Sequence, residues 1–229
     1  MSRRSLAIAA ALAAASGCVV ARRPAVVPPA GEPAALVGSA ALVHPMNDLA
    51  RHPWVALRDR DGHWERWEVM CCPEDGSEMG TVRRSSIDPL DDHGGGGGDV
   101  RLHGVWRGSE AERIAACVRR EAPAYPHRKS YHAWPGPNSN TFVDWLVRRC
   151  SMGVDLPGPN IGKDYRGVIG VSTTGGGTGV QLETPLAGLK IGLTEGVEVH
   201  VLGLALGVDL WPPALIVPLG PGRIGFDDR

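Results

Sequence analysis

Nowhere in the 229 residues is there an uninterrupted apolar stretch of the ~20 that a membrane-spanning helix requires. The sequence also lacks a charge bias: 24 Lys and Arg stand against 25 Asp and Glu, a formal net charge of −1. That balance excludes the basic surface by which nucleic acid is held, so no nucleic-acid partner is predicted. Metal-ligand spacing is missing as well. Cys71 and Cys72 are adjacent, and neither His63 nor His93 completes a zinc pattern with them. The glycine-rich "GGGTG" at 175–179 does not follow a strand into a helix, which argues against a phosphate cradle. The reading therefore assigns no metal and no cofactor.

What is present begins at the first residues. In "MSRRSLAIAAALAAASGC", Arg3 and Arg4 precede an apolar run at 6–15 and then small residues, the anatomy of a secretory signal over 1–17. "ASGC" resembles the lipobox of bacterial lipoproteins, which makes Cys18 the expected acylated first residue. Loss of Arg3 and Arg4 with the leader takes the formal charge to −3. Residues 18–41, rich in Pro and Ala, read as a lipidated tether of extended backbone. The expected location follows: exported and lipid-anchored to a bacterial membrane, on the periplasmic side of the outer membrane if the cell is Gram-negative. An exported compartment permits disulfides. Cys117 and Cys150 both fall on apolar helical faces, consistent either with packed thiols or with a bridge between two helices.

Residues 42–165 read as an α+β core and 166–229 as a C-terminal antiparallel β region packed on it. At 52–70, "HPWVALRDRDGHWERWEVM" has two tryptophan-bearing strand patterns around Asp-Gly, a hairpin signal. A flexible loop follows, with Asp91, Asp92 and His93 as solvated residues beside five glycines at 94–98. "VRLHGVW" at 100–106 predicts a strand. Ser109 and Glu112 then have the spacing of a capping box for a helix that ends at Pro123. A second helix is predicted after Ser139, with Phe142, Val143, Leu146, Val147 and Cys150 on one face. Lys163 and Asp164 read as a surface pair fixing a turn. Beyond 166 the chain turns to β patterns between glycines. There Val197, Val199 and Val201 differ in parity from Leu202, Leu204 and Leu206, so a bulge or bend is expected near Gly203, and His200 beside Glu198 is expected on a solvated face.

"HPWVA", "RWEV", "WPGPNSNTF", "LPGPNIGKD" and the C-terminal "VLGLALGVDLWPPALIVPLGPGRIGF" resemble the bacterial family called domain of unknown function 3750, over about 51–226. A more distant resemblance is to circularly permuted NlpC-type papain-like proteins, in which a strand histidine comes first, a polar orienting residue second, and a nucleophilic cysteine last, at a helix N-terminus. His52, Glu68 and Ser139 keep that order, with serine in place of cysteine. The resemblance implies a permuted papain-like core and a catalytic role for these three. Serine cannot be ionised by a helix N-terminus as a thiol can, so Ser139 needs His52 as base and Glu68 as orienter.

The pairing of the hairpin decides whether that is possible. A two-residue loop puts Glu68 and His52 on opposite faces; a three-residue loop, 60–62, puts Glu68 opposite Trp54 and on the face of His52. Gly62 favours the second. Asn138, Asn140, Trp134 and Trp54 are the candidates for touching substrate. Two functions remain open: a hydrolase or acyltransferase acting on an envelope peptide or lipid amide or ester, and a non-catalytic lipoprotein binding an envelope ligand or partner. In the second, Ser139 is simply a helix cap.

Overall fold

The computed structural model describes residues 27–43, 46, 49–71, 76–90 and 100–226. The expected signal, Cys18, Cys72 and the loop with Asp91, Asp92, His93 and the five glycines lie outside the described residues. Within them the fold is α+β, with two antiparallel sheets and two α-helices.

The first sheet has the order β4-β3-β2-β1-β5, from β1 (Ala34–Ala41), β2 (Arg51–Arg58), β3 (Trp64–Val69), β4 (Val82–Ser85) and β5 (Arg101–Arg107). Its central strand corrects one expectation. Residues 34–41 are not tether but β1, buried along its whole length and paired on both sides. A strand covered on both faces can be made of small residues, because neighbours supply the bulk. Leu36 and Ala40 pack with Trp54 and Ala56 on one face. A side chain at Gly38 would come within 3.1 Å of the Trp54 indole. The folded core therefore starts inside the segment whose composition suggests a linker.

On the other face lie α1 (Gly108–Glu121) and α2 (Ser139–Arg149), with a short 3₁₀ turn at Ala122–Ala124. Ile114 and Val118 of α1 and Phe142, Val143, Leu146 and Val147 of α2 share one core with Val37, Val55, Leu57, Trp67 and Val69. The start of α1 differs from expectation. Its N-cap is Arg107, with no side-chain cap bond, and Ser109 and Glu112 lie inside the helix. Glu112 instead accepts from Arg60 at 2.7 Å. Of the two readings open for the helical cysteines, the bridge is observed: Cys117 and Cys150 form a disulfide joining α1 to the end of α2.

The second sheet is a seven-stranded meander in simple order: β6 (Gly170–Thr173), β7 (Gly179–Glu183), β8 (Ala187–Gly192), β9 (Gly196–Val201), β10 (Leu204–Leu210), β11 (Pro213–Ile216) and β12 (Arg223–Gly225). The parity change near Gly203 is a reversal, not a bend within one strand. Leu202 and Gly203 have φ of 52° and 73°, a two-residue turn that pairs Val201 with Leu204. The valines of β9 and the leucines of β10 consequently share one face.

That face points outward. Val197, Val199, Leu206 and Val208 are exposed, whereas Glu198, His200 and Asp209 are buried. The expected solvated side of this sheet is its interior. The segment 154–166, between α2 and β6, lies against the buried polar side, and there Lys163 and Asp164 are buried, not surface residues.

Closing a 33-residue separation, the Cys117–Cys150 bridge is expected to stabilise the fold by about 3–4 kcal/mol. Urea unfolding with and without reductant measures this. An unchanged midpoint would remove the bridge from the stability of the helical layer.

Candidate functional site

The start of α2 is built by side-chain amides. Asn138, not Ser139, is the N-cap: its Oδ1 accepts from the backbone N–H of Asn140 at 2.9 Å and of Thr141 at 3.2 Å. Thr141 Oγ1 accepts in return from the Asn138 N–H at 3.0 Å, completing the capping box. The remaining polar atoms tie this turn to the segment after α2. Asn138 Nδ2 donates to the carbonyls of Ala133 and Ile161, both at 3.0 Å, and Thr141 donates to the Gly162 carbonyl at 2.7 Å. Asn140 Nδ2 donates to Ile161 and to the carbonyl of Arg51, while its Oδ1 accepts from Asn160 at 2.8 Å. Gly162, at φ 93°, has no room for a side chain, because a Cβ would lie 2.3 Å from the Asn138 amide. The two Pro-Gly-Pro-Asn motifs are thus the two halves of one hydrogen-bonded joint, and Asn138 and Asn140 are spent in holding it rather than free for substrate.

Ser139 is the first residue of α2, buried, and its hydroxyl bonds to no other described residue. The β2–β3 hairpin has the three-residue loop. Asp59 pairs with His63, Gly62 takes φ 90°, and Val55 faces Trp67, which sets Glu68 beside His52. His52 Nε2 lies 2.9 Å from Glu68 Oε2. A carboxylate only accepts, so Nε2 carries the proton and Nδ1 is the basic atom of a neutral ring. The same carboxylate oxygen accepts from Arg66 at 2.7 Å. Burial works against charge on Glu68, but the bond from His52 and the Arg66 guanidinium hold its carboxyl below the ordinary value. Arg66 lies 4.1 Å over the Trp54 ring, and Trp54 is fully buried, so it lines no groove.

The pleat then separates the proposed partners. Val55 and Leu57 carry α2, and His52 and Trp54 have the opposite parity. His52 and Glu68 therefore point away from the helix that begins with Ser139. Asn140 reaches the Arg51 carbonyl, which brings the start of α2 to the start of β2, but no hydrogen bond joins Ser139 to His52. On the helix face stands a group the sequence reading missed. A bulge at Val37/Gly38 adds His103 to β5, and its Nε2 lies 2.8 Å from Ser39 Oγ, which also accepts from Arg51 at 2.8 Å. Ser39 is wholly buried, so the trio supports the sheet interior. Trp134 is half exposed and donates to the Leu202 carbonyl at 2.7 Å, clamping the loop before α2 onto the second sheet.

Over residues 35–165 the chain matches the family described as Protein of unknown function (DUF3750). The chain belongs to this family. No curated protein and no solved structure matches it. The DUF3750 match begins inside β1, earlier than the 51 expected, and ends at Tyr165, so it contains the joint, His52, Glu68 and Ser139 but not the seven-stranded sheet.

Inside that sheet the DUF3750 chain buries a charge network. Lys163 meets Asp164 at 2.9 Å; Lys190 meets Asp155 at 2.8 Å and Glu198 at 3.1 Å. His200 bonds Glu183 through Nδ1 and lies 3.3 Å from Glu198 through Nε2. Gln181 donates to Asp164 and Glu183. Burial alone would neutralise these groups. Against it, Lys163, His200 and Lys190 hold Asp164 well below the usual carboxylate range. Asp155 is pushed up by burial. For His200, burial is outweighed by the Asp164 charge and the bonds to Glu183 and Glu198, and its pKa is raised to about 9. Asp164, Glu183 and His200 are close enough to share a cation. Their donor atoms already face Lys163, Gln181 and Glu198, and an ion would have to displace these.

Two outcomes follow. Asn138→Ala removes the cap and a donor to two carbonyls and is expected to cost about 2–4 kcal/mol, whereas Ser139→Ala is expected to stay within about 0.5 kcal/mol. Urea titration of both variants checks the contrast, and equal losses would contradict it. His200, raised from 6.5 to about 9, favours the folded state fully below pH 6.5, and that contribution disappears as pH rises through 9. Stability measured from pH 6 to 10 should fall in the wild type and fall less in His200→Gln.

Proposed function

We propose that this chain is an exported, lipid-anchored envelope protein that works by binding, through the outward face of its seven-stranded sheet. One observation carries this reading. The charged side chains of that sheet are turned inward, and an aliphatic face, including Val180, Leu189, Val199 and Leu206, is turned to the outside. An uncharged face of this extent marks a surface that is covered in use. The signal at 1–17 and acylation of Cys18 would hold the domain at a membrane by its N-terminus, with the tether shortened to the residues before β1.

A hydrolase or acyltransferase with a permuted papain-like core is the second reading, and it keeps two observations in its favour. His52 and Glu68 are paired at 2.9 Å, and the Ser139 hydroxyl bonds to no other described residue. It requires the His52 Nδ1 to reach Ser139 from the face opposite α2, with all three residues buried. The binding reading requires no such movement.

A fluorophosphonate probe separates the two. Binding without catalysis predicts the same labelling of wild type and Ser139→Ala. Labelling that is lost in Ser139→Ala and in His52→Ala would overturn the proposal and restore the catalytic serine.

A further inference from the structure

Resting on that reading, we infer that the occupant of the outward apolar face is the same face of a second copy of this chain, packed sheet against sheet.

The pattern, polar inside and aliphatic outside, is also that of a membrane barrel, but the strands exclude a span. They are three to seven residues long, and a tilted transmembrane strand needs about 9–11. The face must therefore be covered by something lying flat on it. A lipid surface is one such cover, and elements that lie on anionic membranes surround their apolar side with Lys and Arg. This sheet has no such rim. Between Gly167 and Phe226 the only Lys and Arg are Lys190 and Arg223. Lys190 is bound in the interior by Asp155 and Glu198, and Arg223 is bound to Asp209.

The dimensions suit a protein sheet. Seven strands about 4.8 Å apart and averaging about five residues give a footprint of roughly 29 by 17 Å, or about 500 Å² before the relief of the side chains is counted. A stable interface buries about 800 Å² of accessible surface on each partner, more than this flat footprint, and the side chains that stand up from it, with Val171, Val180, Leu206 and Leu210 63–74% exposed, supply the further area. Self-pairing satisfies the chemistry without a second kind of partner. Both faces are aliphatic and uncharged, and a two-fold axis through the sheet sets identical ridges against one another about 10 Å apart, an aligned sandwich. Val199 and Leu206 are cross-strand neighbours near the middle of the meander, 49% and 63% exposed, and such a contact would cover both. The inner face does not change, because the charges that stabilise it are already paired there.

The test uses the chain from residue 19 onward, which contains every described residue and carries no acyl group. Light scattering after size exclusion, over about 1–100 μM, should give a dimer mass for the wild type. Val199→Glu with Leu206→Glu should give a monomer with unchanged circular dichroism; Leu189→Lys on the adjacent strand is the second variant should the first fail to fold. A wild type that stays monomeric throughout, or variants that stay dimeric, would overturn the inference. A monomer that floats with phosphatidylcholine vesicles, and no longer does so in the variants, would assign the face to lipid and overturn self-pairing while leaving the binding reading intact. Failure of the binding reading itself is read separately, by Ser139-dependent labelling.

Discussion

A set of charges that must be buried together governs the second half of this protein. Lys163, Asp164, Lys190, Glu198 and His200 are each at most 5% exposed. An unpaired charge at such a place is strongly destabilising, so every member needs its opposite. Lys190 and Glu198 come from adjacent strands, Asp164 and Lys163 from the segment before β6, and His200 completes the set as a cation. Meeting that condition forces Gln181, Glu183, Lys190, Glu198 and His200 to point one way. Pleating then sends Val180, Leu182, Leu189, Val199 and Val201 the other way, into the open. The exposed apolar face is the reverse side of the buried network.

The segment that carries Lys163 and Asp164 also organises the first half. Its earlier residues, Asn160 to Gly162, accept and donate hydrogen bonds at the start of α2, and its later residues enter the second sheet. One short stretch thus fixes both the helix N-terminus and the sheet packing. The same joint consumes Asn138, Asn140 and Thr141. A motif that reads as a catalytic context is, in space, a structural connector, and Ser139, whose hydroxyl bonds to no other described residue, is the exception within it. This weighs towards binding, since His52 and Glu68 answer to Arg66 and Trp54 on the far side of the sheet.

Local chemistry made much of the first sheet readable. Asp59 to His63 with Gly62 third in the loop predicts the hairpin register, and with it the His52–Glu68 contact, because a loop of known length decides which residues share a face. Helix α2 was legible from its apolar spacing, but its cap was displaced by one residue, since both Asn138 and Ser139 are good caps and only the bonds to Asn140 and Thr141 choose between them. β1 was missed because strand signals rest on bulky alternation, and a central strand mostly of Ala, Gly and Ser, with Leu36 and Val37 side by side, shows none.

The sequence by itself determined which residues lie on common faces: the alternation of β9 and β10, the stripe of α2, and the short loop between β2 and β3 are all set by local backbone periodicity. It did not determine which face is inside. A period of two has two sides of equal standing, and burying valine is the ordinary outcome for an isolated strand. Only the tertiary structure brings Lys163 and Asp164 across from the joint and sets them against Lys190, Glu198 and His200. Once oppositely charged groups from distant segments meet there, the polar side is stable inside, and the apolar side is left exposed.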